Sequence, residues 1–315
     1  MDMNNSLLKT LLTSIAFSVL SAGQLWALDC VEKEDYFRCD TEVVSQSLKS
    51  EKIPVFIYIS SKVLKAENED IKPSDLEYIL FLHGRGYARN MGAEDSMLEH
   101  LNIKKILNDP QYENLIFVAP QDVILQSDSR SIGQDYWIGA GGRDWISFLS
   151  DELPSVLQNA ATELDIQAKL STVMGISMGA HGALMLGQSN PELYKNVIAL
   201  SPIFRSTPEE ISDSDRDVFL KAGEPMLEEY NFGTKLLNQR ARLSEHFFIE
   251  ISRTDFGLDA ENFPTGASSW SSLKDLMEEN DNTNHIEISD DDRGHSHHYW
   301  KDVMLRSLNW HKSTH

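Results

Sequence analysis

Short apolar stretches rich in β-branched and aromatic residues recur along the chain. Between them lie longer segments in which apolar residues return every three or four positions. Strands are predicted over residues 54–60, 77–82, 115–119, 171–175, 197–201, 247–252 and 286–289, each bounded by polar or turn residues. Helical spacing covers 93–107, which stops before Pro110, and also 145–164, 178–186 and 299–310. Pro154 falls inside the second of these helices. A proline lacks the N–H and crowds the preceding turn, so a kink or break is expected near Leu153. Segment 206–239 reads as polar and helical, a cap or excursion on the sheet, although helices packed flat on the body would look the same. Strands alternating with helical crossovers imply an α/β fold with a mostly parallel central sheet and helices on both faces. No internal repeat or linker divides the chain, so residues 28–315 are expected to form one domain.

The first 27 residues stand apart from that pattern. Lys9 precedes an apolar stretch over residues 10–22, and Gly23-Gln24-Leu25-Trp26-Ala27 follows. This is the layout of a secretory signal peptide cleaved after Ala27, which points to a secreted or periplasmic protein. The competing reading is an uncleaved anchor, but the apolar run is short of the roughly 20 residues a bilayer span needs. A lipoprotein attached through Cys30 is disfavoured by Asp29, where a small neutral residue is expected. No later stretch is long and apolar enough to cross a membrane. The only two cysteines, Cys30 and Cys39, are expected to close a disulfide near the start of the exported chain.

Composition narrows the partners without naming the chemistry. The 315 residues carry 28 Lys plus Arg against 49 Asp plus Glu, a formal charge of −21. Loss of the leader removes Asp2 and Lys9 together and leaves that balance unchanged. Such a charge repels nucleic-acid phosphates and anionic bilayers, so neither is an expected partner.

The chemistry begins at Gly175-Ile176-Ser177-Met178-Gly179, a G-x-S-x-G run between an apolar strand and a helix that starts at once. A sharp strand-to-helix turn presents the serine hydroxyl above the sheet, and the small residues at either side avoid clashes. The N–H of Met178 then lies at a helix N-terminus, suited to an oxyanion. A nucleophilic serine needs a base, and the base an orienting acid; in α/β-hydrolases the chain order is Ser, acid, His. His295 follows strand 286–289 and precedes the last helix, which makes it the candidate base. The rivals are His297 and His298 at the helix start, His246 at a strand start, and His181 on the serine's own helix. Asp255, on the loop after strand 247–252, is the candidate acid, with Asp259 as runner-up; the run Asp290-Asp291-Asp292 reads as a solvated turn. Leu82-His83-Gly84-Arg85-Gly86-Tyr87 leaves a strand with two glycines, and the Arg85 N–H is the expected second oxyanion donor, with Gly86 as fallback. It lacks the third glycine of a dinucleotide motif, and His83 reads as a buried structural histidine. Tyr87 and Trp137, the latter in a Gly-rich loop over 135–142, are candidate cleft residues. The spacing of His295, His297 and His298 beside Asp290–Asp292 also admits a metal site, but adjacent histidines on a helix point apart, and no metal or organic cofactor is expected.

These segments resemble the esterase-D-type branch of the α/β-hydrolases, with its S-formylglutathione hydrolases, feruloyl esterases, siderophore-ester hydrolases and mycolyltransferases. The resemblance is carried by Leu82-His83-Gly84, by the run from Gly175 to Leu184, and by Gly294-His295 through Tyr299-Trp300. Further matches are Trp145 with Glu152-Leu153-Pro154, and Asn190-Pro191-Glu192-Leu193-Tyr194 leading into Leu200-Ser201-Pro202. It spans roughly residues 54–310 and is loose over 204–245. It implies an α/β-hydrolase fold, nucleophile Ser177, acid Asp255, base His295, oxyanion amides from Arg85 and Met178, and hydrolysis of a small-molecule or saccharide ester. Two positions depart from it: relatives often have a glycine before the acid, where Thr254 stands here, and Arg293 replaces a second glycine before the base. An acyltransferase using the same three residues with a non-water acceptor is the alternative. A non-catalytic binding protein on this fold is disfavoured by the three residues occurring in the expected order.

Overall fold

The computed structural model describes residues 28–65, 71–72, 75–85, 96–122, 137, 143–202, 244–255 and 284–314. Nine strands form one sheet: β1 (Asp29–Lys33), β2 (Tyr36–Ser45), β3 (Glu51–Ser60), β4 (Leu76–Leu82), β5 (Leu115–Pro120), β6 (Ala168–Ile176), β7 (Asn196–Leu200), β8 (His246–Ser252) and β9 (His285–Ser289). Their spatial order is β1-β2-β3-β5-β4-β6-β7-β8-β9. Strands β1, β2 and β3 pair antiparallel, as do β3 and β5, and every pair from β5 to β9 is parallel. The inner parallel strands, β5, β4, β6, β7 and β8, read as apolar runs because both of their faces are covered, whereas the edge strand β9 is half exposed. On one face lie the helices Leu153–Glu163 and Met178–Ser189, packed with Val173, Val197 and Ile249. On the other, Met97–His100, Ile103–Leu107 and His297–Ser313 pack with Ile79, Met174, Ile198 and Phe248. The C-terminal ends of β4, β6, β8 and β9 therefore open toward one rim, the usual place for chemistry in such sheets.

Each expected strand is present, most extended by one to three residues. Two features differ from expectation, and the expected disulfide takes a specific place. The hairpin β1–β2 was not foreseen. Its inward positions include the polar Arg38, Thr41 and Ser45, which obscures the alternation; Arg38 is buried by stacking over Phe56 and pairing with Asp40 and Glu99. The two cysteines are direct cross-strand partners in this hairpin and are joined as a disulfide, so they clasp an edge of the sheet rather than closing an isolated loop. The helix expected over 93–107 is broken: Asn102, left-handed at φ 66°, separates Met97–His100 from Ile103–Leu107. Residues 93–95 lie outside the described set, as do the leader and segment 206–239.

The kink near Leu153 takes a specific form. Helix Trp145–Ser147 runs into a widened π turn, Phe148–Glu152, and then into Leu153–Glu163 with Pro154 in its first turn, where no N–H is needed. The buried Glu152 carboxylate inside the wide turn accepts the N–H groups of Gln46 and Ser47 at 3.2 and 2.8 Å and the Ser47 hydroxyl at 2.5 Å. That ties the β2–β3 turn to the helix. Among the described residues, no helix is long and apolar enough to cross a membrane.

Candidate active site

The turn from β6 into helix Met178–Ser189 is very tight. Ser177 is held at φ 56° and ψ −117°, a region that side-chain-bearing residues rarely occupy. The flanking glycines explain how. A Cβ on Gly175 would lie 1.9 Å from the carbonyl oxygen of Gly179, and a Cβ on Gly179 would lie 2.0 Å from that of Leu82. The helix thus sits directly against the last residue of β4, and Gly84 follows with space for only an ordinary contact to Ser177 Cβ at 3.4 Å. Met178, as the first residue of its helix, has a backbone N–H with no acceptor within the helix.

Two loops at the same rim of the sheet, after β8 and β9, reach Ser177. His295 Nε2 is 2.8 Å from Ser177 Oγ, and its Nδ1 is 2.9 and 3.1 Å from the two carboxylate oxygens of Asp255. Asp255 is buried in the turn after β8, and His295 leaves the loop after β9. With Nδ1–H donating to the carboxylate, Nε2 is left to accept the serine proton. The His295 ring also meets the edge of Trp300 at 4.8 Å, and the Trp300 indole N–H donates to Ser201 Oγ at 3.0 Å. Trp300 buttresses the His295 ring, a placement that its helical spacing did not reveal.

The loop after β4 has its own support. The His83 ring is buried; its Nε2 accepts the Asp122 N–H at 3.2 Å, so Nδ1 carries the proton and donates to the Gly84 carbonyl at 2.9 Å. Burial lowers its pKa to about 4 against the raising effect of the Gly84 hydrogen bond, so the ring is neutral near pH 7. Trp137, expected at the cleft, lies instead in the interior. It is fully buried, stands edge-on to His83 and Trp145 at 4.8 and 4.7 Å, and donates its indole N–H to the His83 carbonyl at 3.0 Å. It therefore braces the segment that presents Arg85.

The remaining candidates fall elsewhere. His181 is buried one turn along the serine's helix, and His246 opens β8 at the opposite end from Asp255. His297 packs against Trp300 at 5.3 Å, where burial lowers its pKa, helped by the charges of His100, Lys301 and His298. His298 offers its carbonyl to Arg293, whose guanidinium also pairs with Asp291 and with Asp302 at 2.6 Å. Tyr87, Gly86 and Asp259 lie outside the described residues. Among the described residues, Glu250, His285 and Glu287 also bring three potential metal donors together, but Glu250 already pairs with Arg306 and accepts the Tyr299 hydroxyl.

The comparisons agree with this architecture. A fluorophosphonate-binding serine hydrolase of Staphylococcus aureus superposes with a TM-score of 0.59 at 12% identity, covering 92% of this chain and 98% of that one. An acetyl xylan esterase from Paenibacillus sp. R4 gives 0.55 at 12% identity, over 90% and 87%. An S-formylglutathione hydrolase from Agrobacterium tumefaciens gives 0.63 at 17% identity, over 91% and 98%. At such identities the likeness shows a shared fold. The sequence itself matches the family described as "Putative esterase" over residues 74–310, from the start of β4 to the last helix. The chain belongs to that family and is a carboxylic-ester hydrolase of the α/β-hydrolase fold.

Proposed function

We propose that this chain is an exported serine esterase that hydrolyses small-molecule or saccharide esters through Ser177, His295 and Asp255, by way of an acyl-enzyme. The observation that supports this reading best is the unbroken hydrogen-bonded chain from Ser177 Oγ through His295 to Asp255. His295 Nε2 takes the serine proton as Oγ attacks the ester carbonyl, and Asp255 stabilises the imidazolium that forms. The N–H groups of Met178 and Arg85 receive the oxyanion. The alcohol leaves with the proton from His295, and a water activated by the same nitrogen releases the acid. Export is supported by the signal-like leader and by the Cys30–Cys39 disulfide, which suits an oxidising compartment.

A fluorophosphonate probe tests the reading. Covalent labelling of the wild type and none of Ser177→Ala is expected, with hydrolysis of short p-nitrophenyl esters lost in the same variant. An unlabelled wild type that leaves those esters intact would overturn it. The compared structures are described as acting on S-formylglutathione, ferulic acid esters and acetylated xylan. A panel of those substrates and of graded acyl chains would identify the preferred ester, and product analysis with added alcohols would separate hydrolysis from acyl transfer.

A further inference from the structure

The acid and the base arrive on separate loops, and one buried hydroxyl joins them. Ser252, the last residue of β8, is fully buried, three residues before Asp255. Its hydroxyl donates to the Asp291 carbonyl at 2.8 Å and accepts the Gly294 N–H at 3.0 Å, on the segment that carries His295. It also accepts the Thr254 N–H at 3.3 Å, within the acid's own turn, with Thr254 Oγ1 at 3.4 Å. The two segments meet tightly here: Gly294 is left-handed at φ 63°, and a Cβ on it would lie 3.2 Å from the Thr254 carbonyl oxygen. The backbone adds Arg253 N–H to the carbonyls of Ser289 and Asp291 at 3.1 and 3.2 Å. Those bonds join the strand ends but do not reach the residue next to His295.

We propose that Ser252 is a positioning residue, whose hydroxyl sets the register of the base loop against the acid turn and so the alignment of His295 Nδ1 with Asp255. The proposal rests on the triad reading above. It follows from the inventory of partners: a serine has one donor and two acceptor lone pairs, and here they connect residues on both sides of the Asp255–His295 bond. Alanine at 252 leaves the Gly294 N–H and the Asp291 carbonyl without this partner at a buried position, and the loop must move to find others. A small displacement of the imidazole lowers turnover while leaving substrate binding largely intact, because the hydroxyl faces neither the cleft nor the ester.

The experiment compares Ser252→Ala with Ser244→Ala. Ser244 is another buried serine that donates to the Tyr194 carbonyl at 2.6 Å, at the opposite end of β8. Both variants are expected to melt at lower temperature. Well below melting, with active sites counted by fluorophosphonate labelling, Ser252→Ala is expected to lose about ten- to a hundredfold in kcat with KM changed less than about twofold. Ser244→Ala is expected to keep its kcat. The acidic limb of the Ser252→Ala pH–rate profile should move to lower pH, because a looser carboxylate stabilises the imidazolium less. Proton NMR gives a readout independent of turnover: the downfield His295 Nδ1–H resonance, assigned with His295→Gln, should shift upfield and exchange faster in Ser252→Ala. An unchanged resonance, or a kcat and pH limb matching the wild type despite lower stability, would overturn the positioning role. A wild type that shows the resonance shift in Ser252→Ala but fails to label at Ser177 would overturn the esterase mechanism instead, leaving the positioning role intact.

Discussion

Ser177 is held in a strained conformation that costs on the order of 1–3 kcal/mol, and its neighbours have no room to let it relax. Gly179→Ala would drive a methyl group into the Leu82 carbonyl, 2.0 Å away. This variant is expected to lose more than about 2 kcal/mol of stability and most of its fluorophosphonate labelling, measured by denaturant melts and labelling rate. Trp137 supports the site from behind. Trp137→Phe keeps the ring packing but removes the N–H to the His83 carbonyl, and should destabilise by about 1–3 kcal/mol with a lower kcat. His83 offers a pH test. Its folded pKa of about 4 lies below the unfolded value near 6.5, so the unfolded chain takes up the proton first as pH falls. The stability tied to the neutral ring is whole above pH 6.5 and is lost between there and pH 4, by up to roughly 3 kcal/mol. Urea melts of wild type and His83→Asn across that window should show the smaller decline in the variant.

At the level of elements, the clasped hairpin and the last helix carry separate loads. Replacing both Cys30 and Cys39 by serine should cost about 2–3 kcal/mol of stability on a chain-entropy view, with kcat unchanged, since the hairpin sits far along the sheet from β6. At the other end of the parallel strands, Glu77 accepts Ser171 and Thr172 hydroxyls at 2.8 and 2.7 Å and His311 Nε2 at 3.0 Å, fastening the final helix to β4 and β6. Burial alone would raise the pKa of this carboxyl, but His311 and the two hydroxyls hold it at about 2. The inner parallel strands were legible because each is a contiguous apolar run, and the elbow because its glycines and serine are contiguous in the chain. The approach of Ser177, Asp255 and His295 was legible because each follows its own strand. The hairpin was not, since Arg38, Thr41 and Ser45 occupy inward positions. Nor was the interior place of Trp137, which depends on a partner 54 residues away in sequence.

For the whole molecule, the acidic composition and the two buried networks predict a stepped response to pH. Above about pH 6.5 both networks are intact; His83 costs stability first, and the Glu77 contribution is lost only as pH falls from 4.5 toward 2. Calorimetry of the wild type and Glu77→Gln from pH 7 to 3 should show the curves converging only below about pH 4.5. The tight seat of Gly179 under Leu82 has one more consequence. It fuses Ser177, its helix and the end of β4 into a single block, while Asp255 and His295 belong to a second block carried by β8 and β9. The two meet at β7, through the indole of Trp300 on Ser201, and through His311 of the last helix on Glu77 of β4. On the proposed mechanism, the serine ester is held by one block and the water-activating imidazole by the other, so deacylation depends on how the two are seated. On that reading, the lifetime of the acyl-enzyme depends on the seating of β8 and β9 against β6 through β7 as well as on the reactivity of the ester.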